Sequence, residues 1–243
     1  MNNVDGAHGR TFEYSDARFV VSPDAREIWC TWTSTPEDAA TYLLGPILAY
    51  TVRQRGTLAL HASSIVVRDH AVLVAGAPGA GKSTVAASCA LRGAIVITDD
   101  VAAIEWREDR AFVLAGYPRV RVWGDVAESL WGAEEALPLL TPTWNKRFVD
   151  LTTGEYAFAT DARPIGAICV LTGRASEPSL RAVTGHEAAI TLLRHASVTH
   201  VLDDSLREDE LAQVARLASS VPVYELLAPD DLRRAGEVCD LLP

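Results

Sequence analysis

Over the first third of the chain, the spacing of apolar residues changes from a strand pattern to a helical one. Short segments rich in β-forming residues, separated by Ser-Asp and Pro-Asp-Ala turns, predict a small antiparallel β meander with strands over 11–14, 18–21 and 27–33. Apolar residues then recur at helical spacing up to Gly56. This pattern predicts a helix beginning at Pro36, capped by Ser34 or Thr35 and bent at Pro46.

Beyond this helix, the apolar runs have the length of strands and are separated by helical patterns. Runs at 58–66 and 71–75 flank a short polar turn and predict a hairpin. A helix is predicted over 83–92, and a strand over 94–98. Further strands are predicted over 101–106, 111–115, 120–123, 147–151, 165–171 and 221–227. Further helices are predicted over 186–195, over 208–219 and from 229 or 230 onward.

A glycine-rich segment lies directly between the apolar run 71–75 and the alanine-rich helix. It reads Gly76, Ala77, Pro78, Gly79, Ala80, Gly81, Lys82, Ser83 and Thr84. It fits the Gly-x-x-x-x-Gly-Lys-Ser pattern in the strand–loop–helix context that a phosphate-binding P-loop requires, which disfavours a chance match on a turn. Glycines let the backbone aim its N–H groups at phosphate oxygens, and the helix start adds partial positive charge. The segment predicts an α/β fold and the binding of a nucleoside triphosphate.

Two side chains of this segment have separate expected tasks. Lys82 adds a mobile positive charge for the phosphates, and the Ser83 hydroxyl is placed to ligate the magnesium that accompanies them. Thr84 is a weaker candidate for the metal.

An acidic pair, Asp99-Asp100, closes the predicted strand 94–98. An acid at the end of the strand next to a P-loop is placed to reach the metal ion. One carboxylate could hold magnesium, and the second could accept a proton from an attacking hydroxyl. The alternative is a helix-capping aspartate beside a solvated one.

Composition limits the classes of function. The chain has 243 residues, of which 49% are apolar and 22% charged, enough for one sizeable buried core. Its net charge of −10 argues against a general nucleic-acid binder. The polar N-terminus has no export segment, and the longest apolar stretch is far shorter than a bilayer span, so we expect a cytoplasmic protein without membrane contact.

The cysteines and tryptophans do not predict a functional site. The four cysteines lack Cys-x-x-Cys spacing, which predicts reduced and mostly buried thiols rather than a zinc site or a disulfide framework. They are Cys30, Cys89, Cys169 and Cys239. Trp106, Trp123, Trp131 and Trp144 are expected to pack rather than to form a base-stacking platform.

Several of these residues together resemble one enzyme family. His61-Ala62-Ser63-Ser64, the hairpin, the segment 76–84 and Asp99-Asp100 occur in the order and at the intervals of the catalytic domain of HPr kinase/phosphorylase. The similarity is specific over about residues 56–101 and diffuse to about 172. A lone histidine is more often structural than catalytic, but these surroundings change that expectation for His61.

The resemblance implies both a fold and catalytic roles. The implied fold is a P-loop kinase core of the HPr kinase/PEP carboxykinase type, with a mixed central sheet and flanking helices. His61, Lys82 and Asp100 would be catalytic, with Asp100 accepting the proton of a substrate serine. Ser83 would bind magnesium, and Asp99 is expected to share it. Residues 1–55 would be the meander and helix packed on a kinase domain of residues 56–243, as one compact unit.

The chain also departs from that family. The larger members carry a separate N-terminal domain and a Glu-x-Arg signature, whereas this chain reads Tyr-Pro-Arg-Val-Arg over 117–121. Asp125 is a weak candidate for a second metal ligand. The chain is more similar to shorter HPr-kinase-like proteins, which include kinases that modify a serine of ribosomally made peptides such as lasso precursors. The expected partner is therefore a peptide or small protein with an acceptor serine, and the resemblance is compatible with a homo-oligomer.

Basic residues are candidates to clamp phosphate or substrate, because one lysine and one metal leave phosphate charge to neutralise. The main candidates are Arg119, Arg121, Lys146 and Arg147, and weaker ones are Arg194, His195 and His200. A guanine-reading motif is not supported, because Phe148 stands where it needs an aspartate. An ATP-dependent phosphotransferase acting on a metabolite, and a non-catalytic ATP-binding regulator, stay open as alternatives.

Overall fold

A computed structural model describes residues 2–6 and 9–243. Its N-terminal part is an antiparallel sheet with its strands in chain order, namely β1 (Asn2–Gly6), β2 (Gly9–Glu13), β3 (Ala17–Val21) and β4 (Ile28–Trp32). Strands β2 to β4 lie within about two residues of the three predicted strands. Phe12 and Phe19 face each other in the β2–β3 register and are fully buried. They pack against Ile47 and Tyr50 of the following helical segment.

The predicted bent helix is two α-helices joined by a π-helical turn. Helix α1 (Pro36–Tyr42) is capped by Thr35, whose hydroxyl accepts a hydrogen bond from the Asp38 N–H, and α2 (Leu48–Gln54) follows the turn at Leu43–Ile47. Pro46 has no N–H to continue the helical ladder, so the backbone departs from helical geometry just before it, at Gly45 (φ −113°, ψ −106°). The predicted bend at Pro46 is confirmed.

The rest of the chain contains the central sheet and a separate hairpin. The remaining strands are β5 (Leu58–Leu60), β6 (Ala62–Val67), β7 (His70–Gly76), β8 (Ile95–Thr98), β9 (Ala102–Arg107), β10 (Arg110–Val113), β11 (Arg119–Trp123), β12 (Lys146–Asp150), β13 (Ala157–Phe158), β14 (Arg163–Ala175), β15 (Ser179–Val183) and β16 (Val223–Pro229). In the central sheet the order is β13-β8-β6-β7-β14-β10-β9-β5, with β16 also beside β14 and β15 beside β16. Strand β14 runs parallel to β7 and β16, while β6 is antiparallel to both β7 and β8. Strands β11 and β12 pair only with each other among the described strands.

Helices cover both faces of this sheet. They are α3 (Lys82–Leu91), α4 (Gly124–Trp131), α5 (Gly185–Leu193), α6 (Asp204–Ser220) and α7 (Val238–Leu241). Successive residues of β7 face opposite layers: Val72 and Val74 pack with α3, α4 and α7, whereas Leu73 packs with α5 and α6. The predicted mixed α/β sheet with flanking helices is therefore confirmed.

Some elements were not predicted, or were predicted differently. Helix α4 and strands β13 and β15 have no counterpart among the predicted elements. The last helix does not begin at residue 229 or 230, because β16 continues to Pro229. A 3₁₀ turn (Leu232–Glu237) follows, capped by the Asp231 side chain, and α7 comes after it.

The prediction of reduced thiols is wrong for one pair of cysteines. Cys89 of α3 and Cys239 of α7 form a disulfide across 150 residues of sequence, while Cys30 and Cys169 are free. Spacing along the chain could not indicate this pair, since it depends on the packing of α7 against α3. Within residues 2–6 and 9–243, no helix is long and apolar enough to cross a membrane.

Candidate active site

The glycine-rich loop, residues 76–84, connects β7 to the start of α3. Gly79 (φ +79°) and Gly81 (φ +107°) have left-handed backbone conformations that favour glycine. Lys82 is buried, and its Nζ donates a hydrogen bond to the Ala77 carbonyl at 3.0 Å, across the loop. Burial lowers the pKa of Lys82, although the nearby Asp100 carboxylate opposes that shift. The loop thus combines two left-handed glycines with a buried lysine at the start of α3.

Asp99 is tied to the loop by its side chain. Its Oδ1 accepts hydrogen bonds from the hydroxyls of Ser63, at 2.6 Å, and Ser83, at 2.8 Å, and its Oδ2 accepts one from the Arg121 N–H at 3.0 Å. Only 1% of the residue is exposed. One correction concerns the topology: β8, which ends before Asp99, is not next to β7, because β6 lies between them. Ser63 on β6 fills that gap, and sequence reasoning gave it no role of its own.

Asp100 faces different partners from its neighbour. Its backbone is left-handed (φ +75°), which is uncommon outside glycine but tolerated by aspartate. The carboxylate pairs with the Arg121 guanidinium through Oδ2, and its Oδ1 lies 3.3 Å from His61 Nδ1. Burial alone raises the pKa of Asp100, but its interactions with the basic residues Arg121, His61 and Lys146 together bring it below its usual value. The carboxylate is therefore ionised at neutral pH.

His61 lies in the break between β5 and β6 and faces the acidic pair. Burial, together with the charge of Lys82, lowers the pKa of His61 below 6.5 despite the Asp100 carboxylate, so the ring is neutral at pH 7. Its Nδ1 lies 3.0 Å from the Asp100 carbonyl oxygen, which can only accept a hydrogen bond. We therefore assign the proton to Nδ1, which leaves Nε2 free to accept a hydrogen bond.

The structure brings two of the four predicted clamp residues to this site. Arg121 and Lys146 line one cavity with the loop and Asp100. Arg119 lies at the far end of β11, over the Phe148 ring. Arg147 is next to Lys146 on a strand and so faces the other way, pairing with Glu134 at 3.6 Å.

The shared cavity has a volume of about 930 Å³ and includes residues to which the sequence gave little or no weight. Arg174 of β14 enters it beside Gly81 and donates to the Pro229 carbonyl at 2.9 Å. Arg194 and His195, the weaker candidates at the end of α5, also line it. Their position at the end of an amphipathic helix was the available signal, but the sequence does not indicate that this end meets the loop.

Two of three further residues named from the sequence line the cavity. Asp125 lines the cavity, but its Oδ1 accepts a hydrogen bond from the adjacent Val126 N–H. Trp123 was expected to pack, yet 51% of it is exposed at the cavity, with Lys146 Nζ 4.9 Å from its ring centre. His200 is exposed and outside the cavity.

Oxygen ligands for a metal ion are present but few. The Ser83 hydroxyl and the Asp99 carboxylate are in direct contact at the start of α3. Among the described residues, no group of three or more His, Cys, Asp or Glu side chains could hold a metal ion. This donor set fits Mg²⁺, which commonly takes one or two protein oxygens and completes its shell with phosphate oxygens and water.

Comparisons with known proteins show similarity among solved structures, and it is distant. No protein-family model and no curated protein matches the sequence. Among solved structures, the fold is similar to the Hpr(Ser) kinase/phosphatase from Coxiella burnetii, with 13% sequence identity and a TM-score of 0.41. That match covers 75% of this chain and 93% of the other. At so low a score, a function can be inferred only from the site residues themselves.

Proposed function

We propose that this protein is an ATP- and magnesium-dependent serine kinase that transfers the γ-phosphate to a serine hydroxyl of a peptide or small protein. The observation that carries the proposal is the division of the acidic pair at the glycine-rich loop. Asp99 contacts Ser83, whereas Asp100 faces Arg121, His61 and the open cavity. Binding a nucleotide requires only the first carboxylate, and accepting a proton requires the second.

The loop would bind the triphosphate. Backbone N–H groups around Gly79 and Gly81, the N-terminus of α3 and the Lys82 ammonium group all favour an anion at this point. Ser83 and Asp99 would hold Mg²⁺, which, when bound, neutralises phosphate charge and orients the transferred group. Lys82 would exchange its bond to the Ala77 carbonyl for one to a phosphate oxygen.

Asp100 would accept the proton of the acceptor hydroxyl. The serine oxygen forms a bond to the γ-phosphorus, the bond from that phosphorus to the β–γ bridging oxygen breaks, and ADP leaves. The low pKa of Asp100 makes it a weak base, which suits a loose transition state in which the hydroxyl keeps its proton until late. Arg121 would stabilise the negative charge on the transferred group, and His61 would hold Asp100 in place.

The proposal extends to the fold. We assign the mixed sheet to a core of the HPr kinase/PEP carboxykinase type, spanning residues 56–243. The N-terminal sheet and the bent helix, within residues 1–55, would pack on this core. Contacts of Ile47 and Tyr50 with Val201 and Leu202 support that arrangement.

The test is phosphoryl transfer followed by mass spectrometry. Purified protein is incubated with Mg-ATP and serine peptides, a small-protein acceptor or a metabolite pool. Wild type is compared with Asp100→Asn and with the control Asp161→Asn, which removes an exposed carboxylate outside the cavity. We expect a phosphorylated serine, formed about 10²- to 10⁴-fold more slowly by Asp100→Asn and at the wild-type rate by the control.

Other outcomes would contradict particular parts of the proposal. Phosphate found only on a metabolite would replace the peptide acceptor by a small molecule. ATP binding without any phosphorylated product would indicate a regulator. Lys82→Ala should weaken ATP binding, whereas Asp100→Asn should leave it within a few fold; an equal loss in both variants would contradict the role of Asp100 as base.

A further inference from the structure

The wall of the cavity next to His61 is basic and is not built by the glycine-rich loop. It consists of the end of α5 and the residues that follow. The His195 carbonyl accepts a hydrogen bond from the His61 N–H at 2.8 Å, and the Ser197 N–H donates to the Ala59 carbonyl at 2.8 Å. These two backbone bonds hold the segment that contains Arg194 and His195 beside the site, and both residues line the cavity.

This wall lies on the side of the site where Asp100 is. His61 contacts Asp100 through its ring and His195 through its backbone, so it connects the two. The π-helical turn is close to the same carboxylate: a Cβ at Gly45 would lie 3.2 Å from Asp100 Oδ2. An acceptor hydroxyl has to approach Asp100 to lose its proton, so the rest of the acceptor would lie along this wall.

The positive charge of Arg194 has no negative partner among the described residues. Asp100 is already paired with Arg121. Arg194 is exposed, and its guanidinium group has neither a hydrogen bond nor an ion pair with any described residue. Burial lowers the pKa of His195, and the nearby basic residues Lys82, His61 and Arg194 lower it further, so its ring is neutral at pH 7. The chain as a whole carries an excess of ten negative charges, so the uncompensated guanidinium of Arg194 at this point favours an anion from outside.

We infer that the acceptor carries a carboxylate close to its reactive hydroxyl, bound by Arg194 with His195 beside it. This inference rests on the proposed kinase function. A guanidinium with all its N–H groups free can bind a carboxylate through two parallel hydrogen bonds, which would hold the hydroxyl at a fixed distance from Asp100. The carboxylate has two sources in a peptide: the side chain of an acidic neighbour, or the chain end when the serine is the last residue.

A matched set of serine peptides separates these sources. One pair differs by Asp against Asn beside the serine, and a second pair ends in serine as the free acid or as the amide. Values of kcat and KM are measured for wild type, for Arg194→Gln and for Arg55→Gln, which removes an exposed arginine outside the cavity. ATP affinity is measured separately without acceptor.

We expect wild type to prefer one carboxylate peptide over its neutral partner by about 10- to 100-fold in kcat/KM, the range for a hydrogen bond between charged groups. Arg194→Gln should lose that preference through KM and keep its ATP affinity within about twofold, and Arg194→Lys should restore part of it. Arg55→Gln should behave like wild type.

Three results would overturn the inference. If wild type phosphorylates the charged and neutral peptides equally, the kinase assignment stands but the carboxylate site does not. If Arg194→Gln weakens ATP binding instead, Arg194 belongs to the nucleotide site. If no acceptor is phosphorylated at all, the proposed kinase function itself fails, and this inference fails with it.

Discussion

Two adjacent aspartates have different surroundings, and the second has a left-handed backbone. Asp99 contacts Ser63 and Ser83, whereas Asp100, at φ +75°, contacts Arg121 and His61. A residue held in this region of φ is often found where function fixes the backbone. In this chain that residue is Asp100, the carboxylate proposed to accept the proton.

The pH dependence of transfer is expected to report on His61. Its lowered pKa keeps the ring neutral above pH 6.5; once protonated, it would pair with the Asp100 carboxylate and oppose proton acceptance. We expect kcat to fall as the pH decreases through that lowered pKa. We expect this fall at acidic pH to be absent in His61→Gln. The measurement is kcat between about pH 5 and 8. If kcat of His61→Gln still falls at acidic pH, another group titrates. The control is His186→Gln, at an exposed position on α5, which should behave like wild type.

The same shift affects folding. Because the folded-state pKa of His61 is lower than 6.5, the folded state gains stability above pH 6.5 and loses it as the pH falls toward that pKa. Kinetic profiles should therefore be measured alongside unfolding curves at each pH.

At the scale of elements, α3 both begins the site and anchors the C-terminal segment. Its first residues are Lys82 and Ser83, and Cys89 two turns later is bonded to Cys239 of α7. Arg92, just after α3, pairs with Asp240 at 2.8 Å. The disulfide and the ion pair therefore hold α7 against the helix that carries the loop.

Reducing this disulfide should destabilise the protein. Opening a link across 150 residues restores conformational freedom to the unfolded chain, with a typical cost of 2–4 kcal/mol. We expect Cys239→Ser and the reduced wild type to unfold at about the same lower urea concentration. Cys30→Ser, which removes a free cysteine, should keep the full difference between oxidised and reduced protein. Equal midpoints for oxidised and reduced wild type would contradict the link.

At the scale of the whole molecule, a buried ion pair joins the N-terminal helical segment to α6. Arg53 and Glu210 are almost fully buried, with Nε and Oε2 3.6 Å apart. Arg53 also donates to the carbonyls of Thr57 and Leu206, and Glu210 accepts from the Thr199 hydroxyl. These contacts connect α2 to the opposite end of the sequence.

Removing one partner of this pair should be costly. Glu210→Ala would leave the Arg53 guanidinium buried without its counter-charge, and we expect a loss of about 3–5 kcal/mol in the free energy of unfolding. Glu208→Ala removes an exposed carboxylate from the same helix and should change it by less than about 0.5 kcal/mol. Urea unfolding measures both, and a small effect of Glu210→Ala would mean that water or a rearrangement compensates the charge.

A feature could be predicted from the sequence when the residues that determine it are close together along the chain. The loop at 76–84, the acidic pair and the Pro46 bend depend on neighbours a few residues away, and their local patterns indicate them. The role of Ser63, the approach of Arg194 to the loop and the Cys89–Cys239 bond depend on which distant elements become adjacent. Local patterns carry no information about such contacts. The predicted clamp roles of Arg119 and Arg147 failed for the same reason, because the direction and register of their strands place both residues outside the cavity.

The position of β14 has a consequence for how the chain folds. This strand lies between β7 and β16 and also pairs with β10. One edge of β7, the strand before the glycine-rich loop, therefore stays unpaired until β14, about 90 residues later, has been synthesised. During synthesis, an apolar strand edge would stay exposed while the intervening segments are made. Such edges are where chains associate wrongly, so a newly made chain would be most prone to aggregate after β7 has emerged and before β14 has paired with it.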